Sequence, residues 1–261
     1  MPTALATLTA PALIDALGLP PASRVDQRIP KKLLAENGAP TAADRKLIQD
    51  GIEEATWVAA IKPANSAIPD YRDDARNYLE LSALTVSTRQ IEPGTARWLR
   101  LAELIHRAIP YPVVLVLEGQ GVVSLSLAHI RSAQNEAEKT VLDGDLQIAS
   151  FDAPSPDQHA FLAALALNQQ PRTDLQALYQ GWMDTLTAWQ ASVLTGRFEP
   201  SAAPAHAARR RSFLREYHDI DAQICGLRKI AAKEKQISRQ VEANLQIQKL
   251  EIKRQALLED I

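Results

Sequence analysis

The stretch YPVVLVLE, residues 111–118, carries five consecutive aliphatic side chains from Val113 to Leu117. A strand wetted on one face alternates apolar with polar residues, whereas an unbroken apolar run fits a strand covered on both faces. Such a strand lies inside a sheet with helices on either side. The chain is therefore predicted to be an α/β (α+β) protein, with a mixed β-sheet body and flanking helices. Gly119-Gln120-Gly121 turns the chain into VVSLSLA, where Ser124 and Ser126 alternate with Val123, Leu125 and Leu127. That pattern reads as a hairpin whose second strand is half solvated.

Other elements follow from their punctuation. Leu13 to Leu17 form a short helix stopped by Gly18 and Pro20-Pro21, and SRVDQRIPKKLL is extended, with Pro30 confining it to a sheet edge or strand end. Thr41 caps a helix expected to run to about Ala59, because Leu47, Ile48, Ile52, Ala55 and Val58 share one face. Tyr78 to Val86 is a strand, and Ala96 to Ala108 a helix offering Trp98, Leu99, Leu101, Ala102 and Ile105 to the core. One last strand falls between Lys139 and Phe151. After DAPSPDQ, Thr173 and Asp174 cap a helix in which Leu175, Leu178, Tyr179, Trp182, Leu186, Trp189 and Val193 form a core stripe, ended by Gly196.

At 261 residues the chain exceeds the roughly 100–200 typical of one domain, so a body with an appendage is expected. The expected divisions are an α/β body over 1–155, a helical segment packed on it over 156–198, a Pro/Ala linker over 199–208 and a C-terminal coiled-coil arm over 209–261. Residues 1–208 hold 17 Lys/Arg against 23 Asp/Glu, whereas 209–261 hold 12 against 8. The body is acidic and the arm basic. Cys225 is the single cysteine, which excludes an internal disulfide and points to a cytoplasmic setting. No run of about 18 apolar residues is present, so neither a membrane span nor a membrane partner is expected.

A continuous helix from Arg209 onward would be about 75 Å long. Tyr217, Ile220, Ile224 and Leu227 form a first seam; the register falters across Ala231 to Gln236, and Ile237, Val241, Leu245 and Ile252 resume it. Asn244 lies beside the second seam, where it either fixes register through a buried partner or faces water. The concentrated cations are Arg209, Arg210 and Arg211, then Arg228, Lys229, Lys233, Lys235 and Arg239. Phosphate neutralisation needs clustered cations and no particular motif, so contact with DNA is possible. Glu234 and Glu242 dilute the charge, and protein docking is the favoured use of the helix.

Catalytic motifs do not emerge. A restriction-type nuclease needs Glu-x-Lys on a strand beside a second carboxylate, to hold Mg²⁺ and polarise water. Asp73, Asp74 and Glu80 are ordered suggestively, but the residue two after Glu80 is Ser82, leaving Lys31 or Lys32 to migrate into the role. His106 and His129 have no metal-ligand spacing, and His106 reads as a helix-end histidine facing terminal carbonyls. GQGVVS lacks the context of a phosphate loop, and Ser124 and Ser126 lack a hydrolase elbow. No cofactor, metal site or catalytic residue is expected.

The order VDQRIPKKLL, YLELSALTV, ELIHRAIPYPVVLVL, LSLAHIR and KEKQISRQVEANLQ resembles the bacterial domain-of-unknown-function family DUF4391 over nearly the whole chain. A departure is Ile130, where similar proteins are expected to carry lysine after LAH. The resemblance implies genomic company with helicases and DNA methyltransferases in phage-defence islands. The expectation is a non-enzymatic accessory subunit of such a complex, docking through its C-terminal helix. Its partners would be a helicase or DNA methyltransferase of the same locus, or a second copy through the coiled coil. The alternatives are a divergent metal-dependent nuclease and a direct DNA-binding protein.

Overall fold

The structure, a computed structural model, describes residues 7–133, 136–200 and 203–259. Two compact units divide the chain, Met1–Leu186 and Thr187–Ile261. Ser201 and Ala202, inside the expected linker, lie outside the described residues.

In chain order the first unit contains α1 (Ala10–Ala16), β1 (Arg24–Arg28), α2 (Lys31–Gly38), α3 (Ala42–Gly51), β2 (Ile52–Ile61), α4 (Pro63–Ser66), β3 (Tyr71–Arg72), β4 (Asn77–Tyr78) and β5 (Leu81–Thr88). It continues with α5 (Ala96–Ala108), β6 (Val113–Gly119), β7 (Val122–Leu127), β8 (Ile130–Ala133), β9 (Glu136–Leu142), β10 (Gln147–Phe151) and α6 (Gln158–Leu165). Helix α7 (Leu175–Thr195) runs past the division, and α8 (Pro204–Ala231) and α9 (Ile237–Glu259) complete the second unit.

Six strands form the main sheet in the order β1-β2-β5-β6-β7-β10. All neighbours are antiparallel except β5 and β6, whose parallel pairing requires the crossover that α5 supplies. The run Val113–Leu117 is fully buried inside this sheet, as its unbroken apolar character demands. Leu84, Val86, Leu115 and Leu117 join Leu34, Ile48, Trp98, Leu101 and Ile105 in one core cluster, so α2, α3 and α5 cover that face. On the other face Phe151 of β10 meets Phe161 of α6 with ring centroids 5.3 Å apart. There the Trp182 indole donates to Leu165 O at 2.8 Å, and the Tyr179 hydroxyl donates to Val113 O at 2.7 Å. The sheet is mixed, with helices on both sides.

The β6–β7 turn carries positive φ at Gln120 (51°) and Gly121 (78°), the twist that a two-residue hairpin turn requires. At Gly38 a Cβ would stand 2.3 Å from Leu104 O, so α2 and α5 approach closely only because that residue is glycine.

Several expectations are corrected. The helix capped by Thr41, whose hydroxyl accepts from the Asp44 N–H, ends at Gly51. Residues 52–61 instead form β2, because hydrogen bonding to both β1 and β5 outweighs a spacing that also fits one helical face. Lys31 to Leu34 begin α2 instead of extending the edge strand. β7 is buried throughout from Val123 to Leu127: α5 lies over its serine face, with the Trp98 indole donating to Ser124 Oγ at 3.2 Å. Two strands, not one, occupy 136–151, with β9 paired to β8 and β10 to β7. Leu99 and Val193 are exposed, the second at 71%. Helix α8 begins at Pro204, a residue suited to a first helical turn, inside the stretch read as linker.

Candidate docking surface on the helical hairpin

The tail is not one long helix. Ala232 to Gln236 interrupt the helix, and Glu234 stabilises the break by accepting from the N–H groups of Lys235 and Gln236 at 2.8 and 2.9 Å. Those two bonds hold its carboxyl below the ordinary value. Helix α9 then returns along α8. Ile220 and Ile224 pack with Ile247, Leu227 and Leu250, while Phe213 and Leu214 pack with Tyr217, Leu257 and Leu258. Ion pairs bridge the two helices at Arg228–Glu251 (2.6 Å), Lys253–Glu216 (2.7 Å) and Arg254–Asp221. The Arg254 guanidinium also lies over the Tyr217 ring, 5.9 Å from its centroid.

This corrects the predicted single coiled-coil arm and divides its two seams. Tyr217, Ile220, Ile224 and Leu227 face the chain's own α9, so they are not open to a partner. The inward apolar residues of α9 are Ile247, Leu250, Leu257 and Leu258. The second seam points elsewhere: Ile237, Val241, Leu245 and Ile252 are 78, 52, 54 and 64% exposed. Asn244 is exposed as well. The signal that separates the faces is the 4-3-4-3 spacing of Ala243, Ile247, Leu250, Arg254 and Leu257, in which an alanine and an arginine obscure the apolar repeat.

The cations are also divided. Arg209, Arg210 and Arg211 occupy the start of α8, about 20 residues and so about 30 Å of helix from Lys229. Arg210 and Arg211 have partners of their own. Lys229, Lys233, Lys235 and Arg239 are exposed and surround the reversal between the helices. Ile230, 60% exposed, and Ile237 sit in the same tip. One end of the hairpin is thus both basic and apolar.

In the body, the residues considered for catalysis have other partners. Asp73 accepts from the N–H groups of Ala75 and Arg76 at 2.8 and 2.6 Å and from the Tyr71 hydroxyl, which together hold its carboxyl down. Lys31 donates to the carbonyls of Gln49 and Ile52, and Lys32 faces Glu36 at 3.8 Å. The lysine beside Glu80 is instead Lys62, 2.8 Å away. It was missed because it follows a strand read as helix. Glu80 is buried, its other carboxylate oxygen lacks a partner, and the pairing raises the Lys62 ammonium pKa. Among the described residues no group of three or more His, Cys, Asp or Glu is placed to hold a metal ion.

His106 does not cap its helix. It is fully buried against Ser126 Oγ at 3.0 Å, and burial pushes its imidazole down to about 3. His129 bonds to the Tyr78 hydroxyl through Nδ1 and to Gln180 Oε1 through Nε2 at 2.9 Å, and burial lowers its pKa too. Ile130, at the departure from the expected lysine, is buried and pairs with Leu142 across β8 and β9. No helix among the described residues is long and apolar enough to cross a membrane.

Comparison with curated proteins and with solved structures returns no match. The family model described as Domain of unknown function (DUF4391) matches residues 17–253, nearly the whole chain, and the protein belongs to that family.

Proposed function

We propose that the chain is a non-enzymatic accessory subunit of a bacterial anti-phage defence complex, docking through the outer face of α9 and the hairpin tip. The observation that carries this reading is the stripe Ile237, Val241, Leu245 and Ile252, four aliphatic side chains each more than half exposed. Fully burying one such side chain is worth about 1.5–3 kcal/mol, so a partner covering the stripe gains several kcal/mol before ordering costs. The partner, a helicase or DNA methyltransferase of the same locus, rests on the resemblance described above. Lys229, Lys233, Lys235 and Arg239 fit an acidic rim around that apolar contact.

The test is the double variant Val241→Asp plus Leu245→Asp, examined by sedimentation and by co-purification with the neighbouring gene products. Association is lost while circular dichroism is kept; unchanged association rejects the proposal. Lys233→Glu plus Arg239→Glu weakens docking, which otherwise persists at moderate salt. Tight binding of the isolated chain to duplex DNA near physiological salt, lost in that charge variant, assigns the tip to DNA instead.

A second reading, a divergent nuclease, retains one observation in its favour: the buried Glu80 beside Lys62. It predicts Mn²⁺- or Mg²⁺-dependent cleavage abolished by Glu80→Gln. The accessory reading predicts no cleavage by the purified chain.

A further inference from the structure

A pocket of about 410 Å³ opens at the β1 side of the sheet, on the face covered by α2 and α5. That volume lies in the range of small-molecule sites. Its walls are mainly apolar and include Leu34, Trp57 and Tyr111, with Gln27 and Asn37 at exposed positions and Ser82 inside. All but two of its lining residues belong to VDQRIPKKLL, YLELSALTV or ELIHRAIPYPVVLVL, stretches that are distant in sequence and converge here.

Three features point to a ligand. The first is the Ser82 hydroxyl: the residue is 1% exposed, its N–H is bonded to Pro112 O, and its Oγ has no partner. A buried hydroxyl left unpaired is costly, and a ligand atom that completes it recovers that cost. The second is Trp57, whose indole N–H is already committed to Ala59 O at 2.9 Å. That bond leaves the ring's π surface as its contribution to the pocket. The third is the backbone of β1, where the register shifts between Arg24 and Gln27 and Asp26 sits at φ 49°. A bulge with a strained non-glycine residue re-aims the strand, and it brings Gln27 opposite Trp57.

Aromatic walls, two carboxamides that each present a donor beside an acceptor, and an unpaired hydroxyl match the flat face and polar edge of one heteroaromatic ring. Proteins use the same combination to hold unstacked bases. We propose that this pocket binds a single nucleobase, brought either by a free nucleotide or by an unpaired position in a single strand. The proposal is independent of docking through the hairpin.

The experiment titrates the full chain with the monophosphates of adenosine, guanosine, cytidine and thymidine, a mixed-sequence single-stranded deoxyoligonucleotide, and its duplex. Tryptophan fluorescence and thermal midpoint are the readouts. At least one nucleotide or the single strand quenches the fluorescence and raises the midpoint, and Ser82→Ala weakens that binding about tenfold without lowering the midpoint of the ligand-free protein. Asn37→Ala, at an exposed helical position, weakens binding as well and keeps the test decisive if Ser82→Ala disturbs the sheet. Mononucleotide binding that the oligonucleotide does not exceed identifies a free nucleotide as the source. Single-strand binding that the duplex cannot compete away identifies an unpaired base. No response to any probe at millimolar concentration, or binding indifferent to both substitutions, overturns the proposal.

Discussion

In the sheet body many buried polar groups are held by neighbours, Asp44 by a two-pronged bond from Arg100, Ser124 by the Trp98 indole and His106 Nε2 by Ser126, while Ser82 Oγ and one Glu80 oxygen stand out as unpaired. In α8 and α9 every buried residue is apolar, while the four aliphatic residues of the outer stripe lie in water. One region pairs many of its polar groups internally and hides most of its apolar ones. The other leaves part of its apolar surface unused. The contrast teaches that the two regions fail differently: the body is sensitive to what is removed from inside it, and the hairpin's outer face is sensitive to what is placed on it.

The largest break in that comparison is Trp98→Ala. It empties a fully buried site between α5 and the sheet and removes a donor from Ser124, so unfolding in urea should show a loss of about 3–5 kcal/mol. A loss below about 1 kcal/mol would mean that α5 is not integral to the core.

Acid comes next. His106 has an imidazole lowered to about 3 by burial, against about 6.5 in an unfolded chain. Above pH 6.5 neither state binds the proton and the stability is intact. As pH falls from 6.5 toward 3 the unfolded chain takes up a proton that the fold refuses, costing about 3 kcal/mol by pH 4. His106→Gln lacks this ionisation, so its stability changes less between pH 7 and pH 4. Parallel pH profiles for the two proteins would refute the assignment.

Within the hairpin the inner and outer faces can be set against each other. Ile224→Val trims a methylene from the buried contact with Ile247 and should lower thermal stability by about 1 kcal/mol. Val241→Asp plus Leu245→Asp, on the exposed stripe, should change it by less than about 0.5 kcal/mol while removing association. If the inner change is silent and the outer pair unfolds the hairpin, the faces have been assigned the wrong way round.

Where one pattern had one meaning, the fold was legible. Val113–Leu117, short, rich in β-branched residues and bounded by Pro112 and Gly119, fits a doubly covered strand, and Ala96–Ala108 has a capping threonine before it and a proline after. The helix reading held as far as Gly51 and failed from 52 to 59, because Ile52, Ala55 and Val58 continue the apolar spacing of α3, and the choice of strand rests with β1 and β5, far away in sequence. The serine face of β7 looked wet because its covering partners, Trp98 and His106, come from another element. The hairpin reversal was visible only as a stumble in the repeat, since Lys233–Gln236 contains neither glycine nor proline. Without the reversal, the apolar positions of α9 could not be sorted into inner and outer. Ser82 and its pocket had no local signature at all, because their walls come from separate stretches.

Cys225 lies exposed on α8 and is the chain's one thiol, whereas three of the four tryptophans, Trp57, Trp98 and Trp182, lie in the first unit. A maleimide dye attached there labels the native sequence at a single defined point. Indole emission then reports mainly on the body and the dye on the hairpin, so two optical channels in one sample follow a partner arriving at α9 and a ligand entering beside Trp57 as separate events.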